Sequence, residues 1–258
     1  MSVLKRIIFC LYYQDGFFYI SRNFRLQKVG DSEWIIKNFG FDKTSNHIDE
    51  LIIILVKKEP SYSDFNNFLK DVFKMKKNIF IPITLGGGIR DYKISKKYFD
   101  NGADKILINT LIYSNKTAVE KIADVYGSQA ICVMIDYKTI NGQPELYSFS
   151  GTYKESINFK DHLKYLNNSR CGEIILNSID NDGNAEGINL SILKKINQKI
   201  SQPILIMGGA GKPEHLVQAL NSEKISGVIT ANLFNFLGEG LKIARLHAIK
   251  KKIPLAKF

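Results

Sequence analysis

Two glycine-rich turns are the segments of this chain whose residue types best suit chemistry. Leu85-Gly86-Gly87-Gly88 and Met207-Gly208-Gly209-Ala210-Gly211 each close an apolar, β-branched run. A turn of this kind lets backbone N–H groups approach a bound oxyanion, and a helix N-terminus expected after each turn would add its dipole. The next apolar run ends in Asn109-Thr110 in one case and in Asn232 in the other. Two such sites suit a small molecule phosphorylated at both ends. Glycine could instead merely permit a tight strand-to-helix turn, but duplication of the turn together with its polar neighbours favours the anion sites. Gly87, Gly88, Asn109, Thr110, Gly208, Gly209 and Asn232 are therefore the candidate phosphate-binding residues.

These turns need elements to position them. Apolar, β-branched runs recur at 7–11, 51–56, 79–85, 105–108, 130–135, 173–176, 203–207 and 227–230. Amphipathic stretches separate them, for example 61–75, 114–125, 189–196 and 213–220, and this is the alternation of a parallel sheet. The chain also repeats itself. Gly86 and Gly208 lie 122 residues apart, as do Thr110 and Asn232; Glu50 and Glu173 lie 123 apart, and Tyr12 and Asp136 lie 124 apart. A nearly constant offset implies two (βα)4 halves, which close into a (β/α)8 TIM barrel. The expectation is one barrel domain over 1–258, with reacting groups at the C-terminal ends of the strands.

Composition narrows the function classes. The chain is 45% hydrophobic and 24% charged, as an ordinary globular protein is. Its first apolar run is too short for a signal-peptide core or a membrane span, so a cytoplasmic protein without membrane association is expected. Cys10, Cys132 and Cys171 form no CxxC pair, and buried thiols are expected rather than a metal site; no cofactor is called for. The formal charge of +11 is spread as short lysine clusters over helical stretches, the pattern of solvated faces rather than of nucleic-acid binding.

Further motifs carry a family resemblance. Lys5-Arg6-Ile7-Ile8-Phe9-Cys10-Leu11, Asp49-Glu50-Leu51, Gly86-Gly87-Gly88-Ile89, Gly102-Ala103-Asp104-Lys105, Ile108-Asn109-Thr110, Gly172-Glu173-Ile174, Ser178-Ile179-Asp180-Asn181-Asp182-Gly183 and Gly208-Gly209-Ala210-Gly211-Lys212 occur in order along nearly the whole chain. Together they resemble the HisF-type cyclase subunit of imidazole glycerol phosphate synthase. The resemblance implies a HisH-like glutaminase partner docked at the N-terminal face of the barrel, with ammonia passing through the barrel core. It also implies that Arg6, Glu50, Lys105 and Glu173 form the charged gate of that route, that Asp104 and Gln129 belong to the partner face, and that Asp182 and Ser150 lie with the substrate. The alternative for the four charges is a structural salt-bridge cluster plugging the barrel, since buried charges are rarely tolerated without partners.

The departures from the family pattern are at the other end. The family uses two aspartates, at the ends of strands one and five, as general acid and base. Asp136 matches the second, and Tyr12 stands at the first. A tyrosine with an ordinary pKa near 10 is neutral at pH 7 and does not replace a carboxylate as base. Ile20 stands where the family has a lysine, and Leu55 where it has an acid at the end of strand two. With the stretch 21–31, this asymmetry resembles a divergent branch associated with surface-glycan loci, in which a separate amidotransferase transfers ammonia to a sugar. Three functional classes follow: an ammonia-delivering subunit of a glutamine-dependent amidotransferase, a genuine cyclase of histidine biosynthesis, and a noncatalytic conduit scaffold.

Overall fold

Strands that are apolar on both faces need cover on both sides, and a barrel ringed by helices supplies it. The computed structural model describes residues 4–39, 45–77, 79–236 and 239–256. Its barrel strands are β1 (Arg6–Gln14), β2 (Glu50–Leu55), β3 (Ile83–Gly86), β4 (Lys105–Ile108), β5 (Ile131–Ile140), β6 (Glu173–Ser178), β7 (Ile204–Met207) and β8 (Gly227–Thr230). All eight pair in parallel with their sequence neighbours, and β8 pairs with β1, which closes the (β/α)8 barrel.

The surrounding helices are α1 (Ser32–Phe39), α2 (Tyr62–Lys76), α3 (Tyr92–Asp100), α4 (Thr110–Ser114), α5 (Lys116–Tyr126), α6 (Phe159–Asn167), α7 (Pro213–Leu220), α8 (Leu233–Phe236) and α9 (Gly240–Lys250). Ser61 starts α2 through a capping box with Asp64, and Asn115 and Asn158 cap α5 and α6. The stretch 189–196 is a 3₁₀ helix (Leu190–Lys195) instead of an α-helix. The Asn189 side chain accepts the Ser191 N–H, and the Ile196 N–H closes onto Leu193 O, so the short segment tightens into three-residue turns.

Two strand boundaries also differ from the apolar pattern. Strand β3 begins at Ile83 rather than at 79, because Pro82 has no N–H for the ladder. Strands β1 and β5 outrun their apolar cores because each continues into an antiparallel hairpin. The first hairpin is Phe17–Arg22 with Arg25–Gly30, and the second is Gln143–Ser148 with Tyr153–Lys154.

The pleat divides each strand between two environments. Ile8, Cys10 and Tyr12 face the barrel interior with Ile52, Leu107, Cys132, Met134, Ile175 and Met207, whereas Ile7, Phe9, Leu11 and Tyr13 pack into the larger core beneath the helices. Among the described residues, no helix is long and apolar enough to cross a membrane.

Two aspartates hold the starts of neighbouring strands. Asp49 accepts the Ile7 N–H at 2.7 Å, and Asp104 accepts the Ile83 N–H at 2.7 Å. Asp49 is also gripped by the buried Arg245 of α9 through two bonds of 3.1 and 3.0 Å, which ties the last helix to the barrel floor. Replacing Arg245 with methionine strands the Asp49 charge and is expected to lower unfolding free energy by about 3–5 kcal/mol. Urea denaturation would check this as a fall in midpoint at unchanged slope.

Candidate functional site

The N-terminal end of the barrel carries a closed ring of charge. Arg6 contacts Glu50 at 3.1 Å and Glu173 at 2.7 Å, while Lys105 contacts Glu50 at 2.8 Å and Glu173 at 3.1 Å. Each ion thus has two partners of opposite sign. Thr84 Oγ1 donates to Glu50 at 2.5 Å and Cys132 Sγ to Glu173 at 3.4 Å. Burial disfavours the charged forms, but the neighbouring charges outweigh it: Arg6 and Lys105 are held above their ordinary pKa values and Glu173 below its own. Glu173 therefore contributes stability that is lost as pH falls through its depressed pKa, and Lys105 contributes stability that is lost only as pH rises through its elevated one. Between these limits Glu173 and Lys105 are both charged. Asp104 and Gln129 are both exposed at this end; the Asp104 carboxylate is engaged with the Ile83 N–H, and Gln129 donates to Tyr126 O at 3.3 Å.

At the opposite end, the strand ends gather Tyr12, Asp136 and Asn177. Asp136 and Asn177 are register partners on β5 and β6, so their side chains share the interior face. Asn177 Nδ2 donates to Asp136 Oδ1 at 2.7 Å, and Asn109 Nδ2 reaches Asp136 Oδ2 at 3.2 Å. Asp136 has no cationic partner among the described residues. Burial pushes its pKa up to about 7, against the bond from Asn177 and aided by the charge of Asp182. Burial, then Asp182, Cys10 and Asp136, push Tyr12 far above its ordinary value, so its hydroxyl stays neutral. Asn177 was not singled out from sequence. The only signal for it is a polar residue on the inward-facing alternation of Glu173, Ile175 and Asn177.

The glycine turns sit on opposite sides of this mouth. One cavity is lined by Gly87, Gly88, Asn109, Thr110 and Ser150, with Lys57, Lys58 and Arg90 at its rim; the other is lined by Gly208, Gly209 and Asn232 with Arg22. Gly87 and Gly209 adopt φ of 92° and 95°, and a Cβ would lie 1.9 Å from Leu55 O at the first and 2.1 Å from Gly187 O at the second. Only glycine fits there. The N–H groups of Gly87, Gly88, Gly209 and Ala210 have no protein acceptor among the described residues.

Three details differ from the sequence expectation. The helix following the first turn, α3, has its N-terminus occupied by the Asp91 carboxylate, which accepts the Ile94 N–H, and Thr110 at the start of α4 lines the first cavity. Asn109 spends its amide on Met134 O, Tyr147 O and Asp136, and Asn232 Oδ1 accepts the Asn235 N–H. Leu55 packs in the outer core, and its neighbour Ile54 is the residue packed against the barrel interior.

Asp182, expected with the substrate, lines the second glycine-turn cavity and is also held by the first hairpin. Its carboxylate accepts from Ser21 Oγ at 2.5 Å and from the Phe24 N–H at 2.9 Å, and its carbonyl accepts the Asn23 N–H at 2.9 Å. Burial raises its pKa, opposed by these donors. Asn23, Phe24, Phe149 and Ser150 all lie at φ between 49° and 60°, a concentration of left-handed residues in the loop tips around one opening. A Cβ on Gly151 would fall 2.7 Å from the Phe24 ring, so the two tips meet. Ile20, on the same hairpin, lines the second glycine-turn cavity.

Fold and mouth together define the class: a (β/α)8 barrel built from two similar halves, with its polar groups gathered at the C-terminal strand ends. Residues 44–239 match the family described as Histidine biosynthesis protein. The chain is 39% identical over 255 residues to a provisionally named imidazole glycerol phosphate synthase subunit, hisF2, of Parasynechococcus marenigrum (strain WH8102), covering 98% of this chain and 94% of that one. It is 32% identical over 254 residues to imidazole glycerol phosphate synthase subunit HisF of Chlorobaculum parvum (97% and 98%) and 33% identical over 233 residues to that of Thermotoga sp. strain RQ2 (90% and 89%). The chain belongs to the histidine biosynthesis protein family, as a divergent HisF-like barrel.

The carboxyl at the mouth can be followed directly. The raised pKa of Asp136 means that the folded state holds this proton above the range in which the unfolded chain releases it, so stability falls as pH rises from roughly 4 to 7. Asp136→Asn removes that term. The difference in unfolding free energy between the two proteins is expected to shift toward the variant by about 1.4 kcal/mol per pH unit in that window, and a series of denaturation curves would measure it.

Proposed function

We propose that this chain is the synthase-side subunit of a glutamine-dependent amidotransferase. It receives ammonia from a HisH-like glutaminase docked around Asp104 and Gln129, and Arg6, Glu50, Lys105 and Glu173 act as the gate. The observation that carries the reading is an asymmetry between the two ends of one barrel. The charged ring at the floor is complete, whereas at the mouth Asp136 stands opposite a neutral Tyr12 where acid–base ring closure needs a second aspartate, and the nearby Asp182 carboxylate is engaged by the first hairpin. The N–H groups of Gly87, Gly88, Gly208 and Gly209 remain suited to a phosphorylated small molecule, with Asn109, Thr110, Asn232 and Ser150 beside them. In this reading the ammonia goes to a surface-polysaccharide sugar through a separate amidotransferase, in keeping with the likeness of the stretch 21–31 to the branch associated with glycan loci.

Co-expression with a HisH-like glutaminase from the same genome tests the partner. Association and faster glutamine turnover are expected; two folded proteins that neither associate at micromolar concentration nor alter turnover would refute it. The alternative cyclase reading is tested without any glutaminase, by supplying ammonium salt and the aminoimidazole ribonucleotide intermediate. Losing one of two acid–base groups is expected to depress cyclisation by about 10² to 10⁴-fold relative to a two-aspartate family member. Cyclisation at an undiminished rate would make the chain a histidine enzyme.

A further inference from the structure

The second glycine turn is held from outside by a histidine that takes no part in the chemistry of the mouth. His215 is the third residue of α7, and its Nδ1 accepts the Gly211 N–H at 3.1 Å. Because that N–H is itself a donor, the ring is neutral and carries its proton on Nε2. The Nε2 edge faces Gly187, where an added Cβ would lie 3.8 Å from Nε2 and 3.9 Å from Cδ2 and Cε1. Gly187 in turn donates its N–H to Gly209 O at 2.8 Å, and a Cβ on Gly209 would lie 2.1 Å from Gly187 O. One imidazole therefore bears on the turn twice, through Gly211 directly and through Gly187 onto Gly209. Asn235 Nδ2 closes the remaining side by donating to Gly211 O at 2.8 Å.

The first glycine turn is held differently. Tyr98 donates to Gly87 O at 2.7 Å, and burial raises its pKa, so that bond is indifferent to pH over the ordinary range. Lys93, 122 residues before His215, has only donors and cannot accept a backbone N–H. A bond that exists only for a neutral imidazole thus belongs to one half of the barrel. We propose that His215 is a positioning residue for the second glycine turn: its neutral ring fixes Gly211 and Gly209 in the shape whose free N–H groups receive an anion, and its protonation, which sets one N–H against another, releases the turn. The use of that shape for an anion rests on the proposed phosphate role of the turn; the hold on the turn does not. The charged groups acting on the ring are Lys212 and Glu214 beside it, Glu214 also facing His247 of α9 at 3.6 Å, while Glu186 next to Gly187 is engaged with Asn184. Burial, then Lys212, lowers the His215 pKa against the pull of Glu214, so the hold is present above the ordinary histidine range and is lost as pH falls below it.

Amide resonances of the isotope-labelled full chain, followed from about pH 8 to about pH 5, provide the test. Gly208, Gly209 and Gly211 are expected to shift together as His215 titrates. In His215→Asn, whose Oδ1 replaces Nδ1 as acceptor and does not titrate, the three glycines are expected to keep their high-pH positions throughout; in His215→Phe they are expected to stay released throughout. Asp136 and Asp182 titrate in all three proteins, so differences among the proteins isolate the imidazole. Inorganic sulfate is expected to bind the second turn roughly 3- to 10-fold more weakly in His215→Phe than in the unmodified chain at high pH, with affinity restored in His215→Asn. A shift confined to Gly211, as a helix cap alone would give, overturns the proposal. Gly208 and Gly209 titrating identically in His215→Asn, or equal sulfate affinity in all three proteins, does the same. If His215→Phe does not fold, His215→Asn decides the question alone. Sulfate that disturbs neither turn in any protein would refute the phosphate role, and the resonances of Gly208 and Gly209 without ligand would still decide whether His215 holds the turn.

Discussion

In a closed parallel barrel every second side chain of a strand points inward, and this period of two couples the floor of the molecule to its mouth. On β6 the inward sequence is Glu173, Ile175, Asn177; on β5 it is Cys132, Met134, Asp136; on β1 it is Arg6, Ile8, Cys10, Tyr12. The residue that begins the series meets the ring of charge, and the residue that ends it lies at the mouth. A one-residue slip in any of these strands would send a buried ion and a mouth residue into the apolar layer under the helices at the same time. Register is therefore enforced from both ends.

The interior column is apolar between two polar ends, and the ends are treated differently. At the floor every charge has two opposite partners, so the cost of burial is offset locally, and Arg6, Lys105 and Glu173 are held in their charged forms. At the mouth the same burial is left uncompensated. Asp136 receives only amide donors, Asp182 a hydroxyl and a backbone N–H, and both have raised pKa values. The first arrangement resists change over a wide pH range. In the second, Asp136 is raised to about 7 and is poised near neutrality, as a group that handles protons has to be.

Much of this was legible in the sequence because it depends on local pattern. Alternating runs, glycine turns and a repeat of 122 to 124 residues suffice for the barrel and for the neighbours of each strand. The four ring residues, Arg6, Glu50, Lys105 and Glu173, come from the family resemblance of the motifs at the strand starts, and the structure pairs them with one another. What stayed hidden depends on partners distant in the chain. Ser21 and Asp182 are 161 residues apart, and nothing near either announces that a hairpin tip will consume the carboxylate. Asn177 looked like an unremarked strand end until Asp136 stood beside it. Nor does a sequence reveal that the candidate phosphate-binding Asn109 also bonds Met134 O, Tyr147 O and Asp136, or that Asn232 also accepts the Asn235 N–H.

The repeat sharpens what the mouth has lost. Tyr12 and Asp136 occupy equivalent places in the two halves, so a symmetric ancestral barrel would present the same residue type at both. The tyrosine hydroxyl, buried beside Asp136 and Asp182, cannot ionise without adding a third negative charge to an apolar pocket, so no shift in surroundings short of a cation makes it a base. At the floor the equivalent Glu50 and Glu173 are both present and both bridge Arg6 and Lys105. The two halves thus differ at the mouth, where Tyr12 stands opposite Asp136, and agree in the two glutamates that bridge Arg6 and Lys105 at the floor.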